Sequence, residues 1–395
     1  MLHLEPPIRP WLVSGLICAL LLAGLPTRPV YAVQGQQASA LFHASLKLSR
    51  TIAPTLTGET PDILVYEAQF QGMVSELKEG LTSLEGEPLE VTALIDFLNH
   101  YFFDVWGFSF DRENSDGREA GSLLIHSIMD RRKGYCLGLS ILYLSLAAQI
   151  GLPLSGVVVP GHFFVRYDKD GRRFNIEVTQ HGVLRDDDSY RQEFSVYETN
   201  SYYLKSLTTR ELLGIYMDNA ALAFNQQGRP DLALPLYRGA IALNPRFAQT
   251  RVNYANTLAR LDDLSSALLE YRKALKLNPH IPELHYNLGV AYGRKGIVEK
   301  EIAHYRLAMT LKPDYIEAAI ALGNAYGKKG MFDDSIAVSR DALRLSPNLA
   351  YAHQNLALAY FFKGRYNLAA SHSEKAASLG VPSSERLTQL LKTRL

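Results

Sequence analysis

The sequence predicts two unlike fold classes in one chain, an α+β domain followed by an all-α superhelix of paired helices. Three observations carry that expectation. From about Gly214 onward, residues of the same type recur every 34 positions. Upstream, the stretch from Cys136 to Ile150 is apolar on nearly every side and is followed by two alternating segments joined by a turn. The 395 residues are 47% hydrophobic, enough for two or three ordinary cores without metal or disulfide staples.

The N-terminus reads as a leader. Trp11 to Leu25 is an uncharged apolar run preceded by Arg9 and followed by Pro26, shorter than the roughly 20 residues that span a bilayer. Val30-Tyr31-Ala32 offers a cleavage site, so residues 1–32 are expected to be removed and the protein to be secreted or periplasmic; an uncleaved membrane anchor is the competing reading. Ile17 before Cys18 argues against lipidation. The chain has 41 basic and 40 acidic residues, and loss of Arg9, Arg28 and Glu5 leaves 39 of each sign. A neutral chain gives no global reason to bind nucleic acid or an anionic membrane. Of the two cysteines only Cys136 survives, so no internal disulfide can form.

Residues 33–61 read as a linker and residues 62–203 as the α+β domain, with helices at about 62–82, 89–104 and 135–150. Gly151 and Pro153 stop the last of these, a buried central helix. Val157–Val159, His162–Tyr167 and Arg173–Val178 are strand-like, with a turn within Asp168–Gly171. Cys136 falls in the first turn of the central helix, where the positive end of the helix dipole favours a thiolate. His162 lies on the first hairpin strand and Glu177 on the second. A turn centred on Asp168–Gly171 sets them opposite each other, and a tighter turn on Asp170-Gly171 moves the glutamate along by two residues but keeps the shared face. A three-residue turn without a bulge would separate them. The roles would be nucleophile, general base and acid, and orienting carboxylate. Against this, a lone cysteine at a helix start is commonly a small core residue, and Glu177 has Arg172 and Arg173 as alternative partners.

The region resembles the transglutaminase-like superfamily of papain-like thiol enzymes. Lys133-Gly134-Tyr135-Cys136-Leu137-Gly138-Leu139-Ser140, Gly151-Leu152-Pro153, Pro160-Gly161-His162-Phe163 and Asn175-Ile176-Glu177-Val178-Thr179 carry the likeness. Phe102-Phe103, Gly107-Phe108, Ser122-Leu123-Leu124 and Arg131-Arg132-Lys133-Gly134 resemble one bacterial branch, whose core is commonly followed by tetratricopeptide repeats. The resemblance implies a cysteine-dependent hydrolase or acyltransferase acting on a peptide or protein amide. Glu177 departs from the aspartate usual in third place, and members lacking the cysteine or the histidine leave a non-catalytic scaffold as the alternative.

After a junction at 204–213, five repeats are expected over 214–383. Prolines 245, 279, 313 and 347, alanines 240, 274, 308, 342 and 376, and glycines 296, 330 and 364 keep the period. Glycine ends a first helix in a left-handed cap, alanine admits close packing, and proline breaks the second helix. These features, with Ala221/Phe224, Gly289/Tyr292, Gly323/Tyr326 and Ala357/Tyr360, resemble the tetratricopeptide repeat; the second repeat departs at Leu258 and Asp262. Leu387, Leu390 and Leu391 suggest a capping helix over 384–395. The resemblance implies a groove for a protein or peptide lined by Asn256, Arg260, Tyr286, Arg294, Asn324, Lys328, Tyr351 and Gln354. Arg260, Arg294 and Lys328 form a basic column suited to a carboxylate, or simply a solvated cation favourable to the dipole of each helix end. Asp186-Asp187-Asp188 and Asp111–Glu119 resemble calcium ligands only loosely, and solvated loops are the expectation for both. His126 and His181 lack metal spacing, and without HExxH, CxxC or a phosphate loop no metal, nucleotide or other cofactor is expected.

Overall fold

A computed structural model describes residues 34–84, 90–113, 120–196, 202–382 and 384–394, so the expected leader lies outside the described residues. Among the described residues no helix is long and apolar enough to cross a membrane. The chain forms two compact units, one up to Thr257 and a second from Leu258.

The first unit opens with a helix where a linker was expected. Helix α1 (Gln34–Leu56) buries Leu41, Phe42, Leu46, Ile52 and Ala53. Its buried stripe also includes Ser45 and Ser49, and Pro54 lies in its last turn, so composition disguised the amphipathic period. The Ser49 hydroxyl accepts from the amide of Ile125 at 3.1 Å and bonds Tyr216 Oη at 3.1 Å, which satisfies it in the core. Helix α2 (Ile63–Ser83) is capped by Asp62, which accepts from Leu64 N–H at 3.0 Å. Helix α3 (Val91–Asn99) passes into a π-helical turn (His100–Val105), which buries Phe102 and Phe103. Strand β1 (Ser109–Phe110), helix α4 (Ile125–Arg131) and strand β2 (Lys133–Gly134), the last parallel to β1, lead into the central helix α5 (Cys136–Gln149).

A five-stranded antiparallel sheet follows, from β3 (Leu154–Val159), β4 (His162–Lys169), β5 (Arg172–Glu177), β6 (Val183–Arg185) and β7 (Ser206–Leu207), in the order β6-β5-β4-β3-β7. Val165 pairs with Ile176 and Lys169 with Arg172, so the tighter of the two expected turns is used, with Asp170 and Gly171 both at positive φ (54° and 73°). One face of the sheet, with Phe163, Val165 and Ile176, joins the core of α5. The opposite face, with Val157, Val159 and Phe164, is covered by Tyr190 of helix α6 (Asp187–Glu193).

The unit continues through helices α7 (Thr209–Gln226) and α8 (Pro230–Leu243), the first repeat pair. Thr208 and Glu211 form a capping box, so this pair starts five residues before the expected boundary at 214. Helix α9 (Ala248–Arg260) and helix α10 (Leu264–Leu277) follow, then α11 (Pro282–Arg294) with α12 (Val298–Leu311), α13 (Ile316–Lys328) with α14 (Phe332–Leu345), and α15 (Ala350–Phe362) with α16 (Tyr366–Ser378). Within the second unit Ala274, Ala308, Ala342 and Ala376 are all buried, and a Cβ on Gly289 would stand 2.5 Å from the Tyr305 ring, which explains the small residues. Asp262 holds the left-handed conformation (φ 66°) that Gly296, Gly330 and Gly364 adopt at equivalent places. Helix α17 (Glu385–Lys392) caps the last pair, burying Leu387 and Leu391 against Leu356 and Tyr360, with Leu390 turned outward.

Candidate active site

Cys136 begins α5 because two glycines beside it let α4 press against the first turn. A Cβ on Gly138 would lie 2.3 Å from Ile128 Cδ1 and 3.0 Å from the Leu123 carbonyl, and one on Gly134 would lie 2.7 Å from Ile128 Cγ1. The cysteine is 4% exposed, free of any disulfide, and lines a cleft of about 170 Å³. Around that cleft stand Phe110, Tyr135, His162, Gln180, Arg185 and Phe194.

His162 opens β4 immediately after Gly161, whose φ of +73° makes the sharp β3–β4 turn. Its Nε2 bonds Glu177 Oε2 at 2.7 Å, which leaves Nδ1 as the ring nitrogen open to Cys136 on the wall of the same cleft. The imidazole stacks on Phe194 (centroids 4.9 Å apart, planes within 5°) and lies nearly parallel to Tyr190. Glu177, at the end of β5, is 1% exposed and engaged at both oxygens. Oε2 accepts from Tyr190 Oη at 2.9 Å as well as bonding His162, and Oε1 accepts from Thr179 N–H at 3.1 Å and Thr179 Oγ1 at 2.5 Å. Cys136, His162 and Glu177 thus line one cleft, with the histidine bonded to the glutamate.

Its electrostatics follow from that geometry. Burial works against a charge on His162, but its interaction with Cys136, its bond to Glu177 and the negative charge of both outweigh it and push the imidazole up to about 9. Burial alone would raise Glu177; hydrogen bonds from His162, Thr179 and Tyr190 and the charge of His162 instead hold it below the usual carboxylate range. The alternative partners do not compete for it. Arg172 pairs with Glu90 at 2.5 Å, and Arg173 with Asp168 at 2.7 Å and Asp187 at 3.2 Å.

Tyr190 and Phe194 were not among the residues singled out from the sequence, and Thr179 stood there only as the end of the Asn175–Thr179 motif. The signal lay in Asp186: it is the N-cap of α6, accepting from Ser189 N–H at 2.7 Å, and Tyr190 and Phe194 follow at helical spacing. The acidic run is thus a cap and a set of ion pairs, since Asp187 pairs with Arg166 and Arg173, and Asp188 with Arg191 at 2.6 Å. Asp111 is likewise buried, accepting from Ser122 Oγ at 2.8 Å and Arg131 at 3.0 Å, while residues 114–119 lie outside the described residues. His126 bonds Glu59 at 2.9 Å, and His181 packs near Phe103.

The expected groove residues all fall on first helices of repeat pairs: Asn256 and Arg260 on α9, Tyr286 and Arg294 on α11, Asn324 and Lys328 on α13, Tyr351 and Gln354 on α15. The basic column differs from expectation. Arg294 donates to Asp262 Oδ1 and the Ala259 carbonyl, both at 2.6 Å, and Lys328 reaches the buried carboxylate of Glu301 at 3.3 Å. Arg294 and Lys328 are thus engaged by neighbouring repeats. Tyr286 packs against Tyr305 and Tyr315, Gln354 lies 3.5 Å from the Pro382 carbonyl, and Asn324 and Tyr351 are exposed.

Comparison with known proteins agrees with this architecture. Residues 65–217 match the model of the transglutaminase-like superfamily, residues 255–296 a TPR repeat model, and residues 282–315, 316–349 and 350–379 a tetratricopeptide repeat model. A UPF0162 protein of Xylella fastidiosa (strain 9a5c) is 28% identical over 147 residues, covering 37% of this chain and 48% of that protein. F-box only protein 21 of Homo sapiens is 33% identical over 90 residues, 23% of this chain and 14% of its own length. The chain thus spans less than half the length of these curated relatives. The crystal structure of YrrB, titled a TPR protein with an unusual peptide-binding site, aligns with a TM-score of 0.41 at 20% identity over 46% of this chain and 92% of that one. Residues 65–217 are a transglutaminase-like domain, and tetratricopeptide repeats follow it through residue 379.

Proposed function

We propose that the transglutaminase-like domain is a thiol-dependent acyl-transfer enzyme and that the repeats bring it a protein or peptide. The observation that carries this reading is His162 sharing one cleft with Cys136 while bonded to a fully engaged Glu177. A cysteine packed only as a small core residue needs neither a cleft nor a buried charged partner.

The chemistry then runs on three side chains. The Cys136 sulfur attacks an amide carbonyl, and His162, holding its proton against loss by its bond to Glu177, delivers that proton to the leaving nitrogen as the C–N bond breaks. A thioester remains on Cys136. Neutral His162 next takes a proton from water or an amine, whose oxygen or nitrogen displaces the sulfur and completes hydrolysis or transamidation. Glu177 fixes the imidazole so that Nδ1 faces the sulfur; the methylene it has beyond aspartate is accommodated by Thr179 and Tyr190, which pin both oxygens. The apolar leader supports delivery to the periplasm or outside the cell, with cleavage after Ala32.

One observation favours the scaffold alternative: Cys136 is 4% exposed, so a substrate has to enter a narrow cleft to reach it. An amide-reactive or acyl thiol probe decides. Labelling of Cys136 that disappears in His162→Ala supports the enzyme; labelling that is absent, or unaffected by that substitution, leaves a non-catalytic interaction scaffold. Cys136→Ser then serves to capture an uncleaved protein partner.

A further inference from the structure

Attack on a carbonyl places negative charge on its oxygen, and the three residues of the candidate site contribute no donor there. The first turn of α5 offers orphan backbone N–H groups beside Cys136. A second donor has to come from the cleft wall. Among its polar side chains, Thr179 is bonded to Glu177, Arg185 is held by Glu193 at 2.5 Å and over the Tyr190 ring at 4.7 Å, and Tyr135 has a partner of its own. Gln180 also lines the cleft, and its side chain is exposed and makes no hydrogen bond or ion pair with any described residue.

The backbone that carries Gln180 is rigid on both sides. It ends a 3-10 turn (Val178–Gln180) whose middle residue, Thr179, is tied to Glu177 by two hydrogen bonds. His181 and Gly182 follow in the left-handed region (φ 55° and 75°), and Gly182 N–H donates to the Glu177 carbonyl at 3.0 Å. A Cβ on Gly182 would stand 2.2 Å from the Asn99 side chain, whose Oδ1 is itself held by Tyr143 Oη at 2.8 Å. The turn therefore holds Gln180 at the cleft on a fixed base, and a fixed base is what transition-state stabilisation requires of a donor.

We propose that Gln180 is a catalytic residue whose side-chain N–H donates to the oxyanion formed when Cys136 attacks a carbonyl, alongside the backbone N–H groups of the first turn of α5. The assignment rests on the acyl-transfer reading. As the S–C bond forms, the C=O π pair moves onto oxygen, and Gln180 Nε2 binds that oxygen until the pair returns and the leaving group departs. It loses no proton.

The test separates two reactions of the same sulfur. Iodoacetamide alkylates a thiolate without forming an oxyanion, whereas 4-nitrophenyl acetate acylates it through one. In the full chain, Gln180→Ala is expected to slow acylation of Cys136 by about a hundredfold or more while alkylation stays at the wild-type rate. Gln180→Glu, of the same size but carrying an acceptor in place of the donor, is expected to behave like the alanine variant. Acylation of Gln180→Ala at the wild-type rate, or an equal loss in both reactions, overturns the assignment to Gln180. A wild-type protein that alkylates but is never acylated overturns the acyl-transfer reading itself.

Discussion

Glu177 and His162 oppose each other's response to pH, and their coupling gives a measurable signature. The imidazole is raised above its ordinary value of roughly 6.5, so the stability it contributes is fully present below that pH and lost as pH rises through about 9. The carboxylate is lowered, so its contribution is present above its ordinary range and lost as pH falls through its depressed value. If His162 supplies the leaving-group proton, the rate of acyl transfer declines on the alkaline side near pH 9. Glu177→Gln removes the fixed negative charge while burial still works against the cation, so this alkaline limb is expected to move to lower pH; a pH–rate profile that does not move shows that Glu177 is not its source. The three residues were legible because their order and the two-residue period of the hairpin place the histidine and glutamate on one face under either of the plausible tight turns. The residues that pin Glu177 were not, because Tyr190 reaches it from a short helix concealed behind an acidic run, and a side chain's partner across a sheet leaves no local mark.

Close helix contacts govern both the start of α5 and the repeat pairs. Gly138→Ala puts a methyl group within 2.3 Å of Ile128 Cδ1 and 3.0 Å of a backbone oxygen, which cannot yield as a side chain can. The expected outcome is a loss of about 1–3 kcal/mol in denaturant unfolding, together with slower labelling of Cys136 as the first turn shifts. In the repeats, His285 and His304 face each other Nδ1 to Nδ1 at 3.1 Å, and His285 Nε2 donates to the Pro279 carbonyl at 2.9 Å. His353, His372 and Pro347 repeat the arrangement two repeats later, at 2.9 and 3.2 Å. Burial, with His285 and Lys300 nearby, lowers His304 to about 4, and burial, His353 and Arg340 lower His372. The unfolded chain takes up these protons first, so stability is lost as pH falls from about 6.5 toward 4. His285→Ala with His304→Val installs the side chains that Ala319 and Val338 place in the intervening repeat. The melting temperature of that variant is expected to fall less between pH 7 and pH 4.5 than the wild type's, and parallel curves would show the pair to be irrelevant. The helices themselves were legible from period alone. The ion pairs that engage Arg294 and Lys328 were not, since each joins residues about one repeat apart.

At the scale of the whole chain, the contrast between a mixed domain and a repeat array was readable from the change of period, but the boundary between folding units was not. The first compact unit runs to Thr257, well past the expected domain end at Tyr203. Tyr216 of α7 bonds both Ser49 Oγ and the Leu123 carbonyl, Gln227 donates to the Leu56 carbonyl at 3.1 Å, and Asn244 donates to Tyr202 Oη at 2.5 Å. A fragment of residues 34–203 is therefore expected to aggregate or to melt without a cooperative transition, whereas residues 34–257 unfold in one step by calorimetry; a sharp transition in the shorter fragment would refute this. Helix α1 adds a consequence in time. It is translated before every element it packs on, and its Ser49–Tyr216 bond closes a loop of 167 residues. This helix thus waits for the first repeat pair to be translated, and until then its apolar stripe is a natural handle for a chaperone holding the nascent chain.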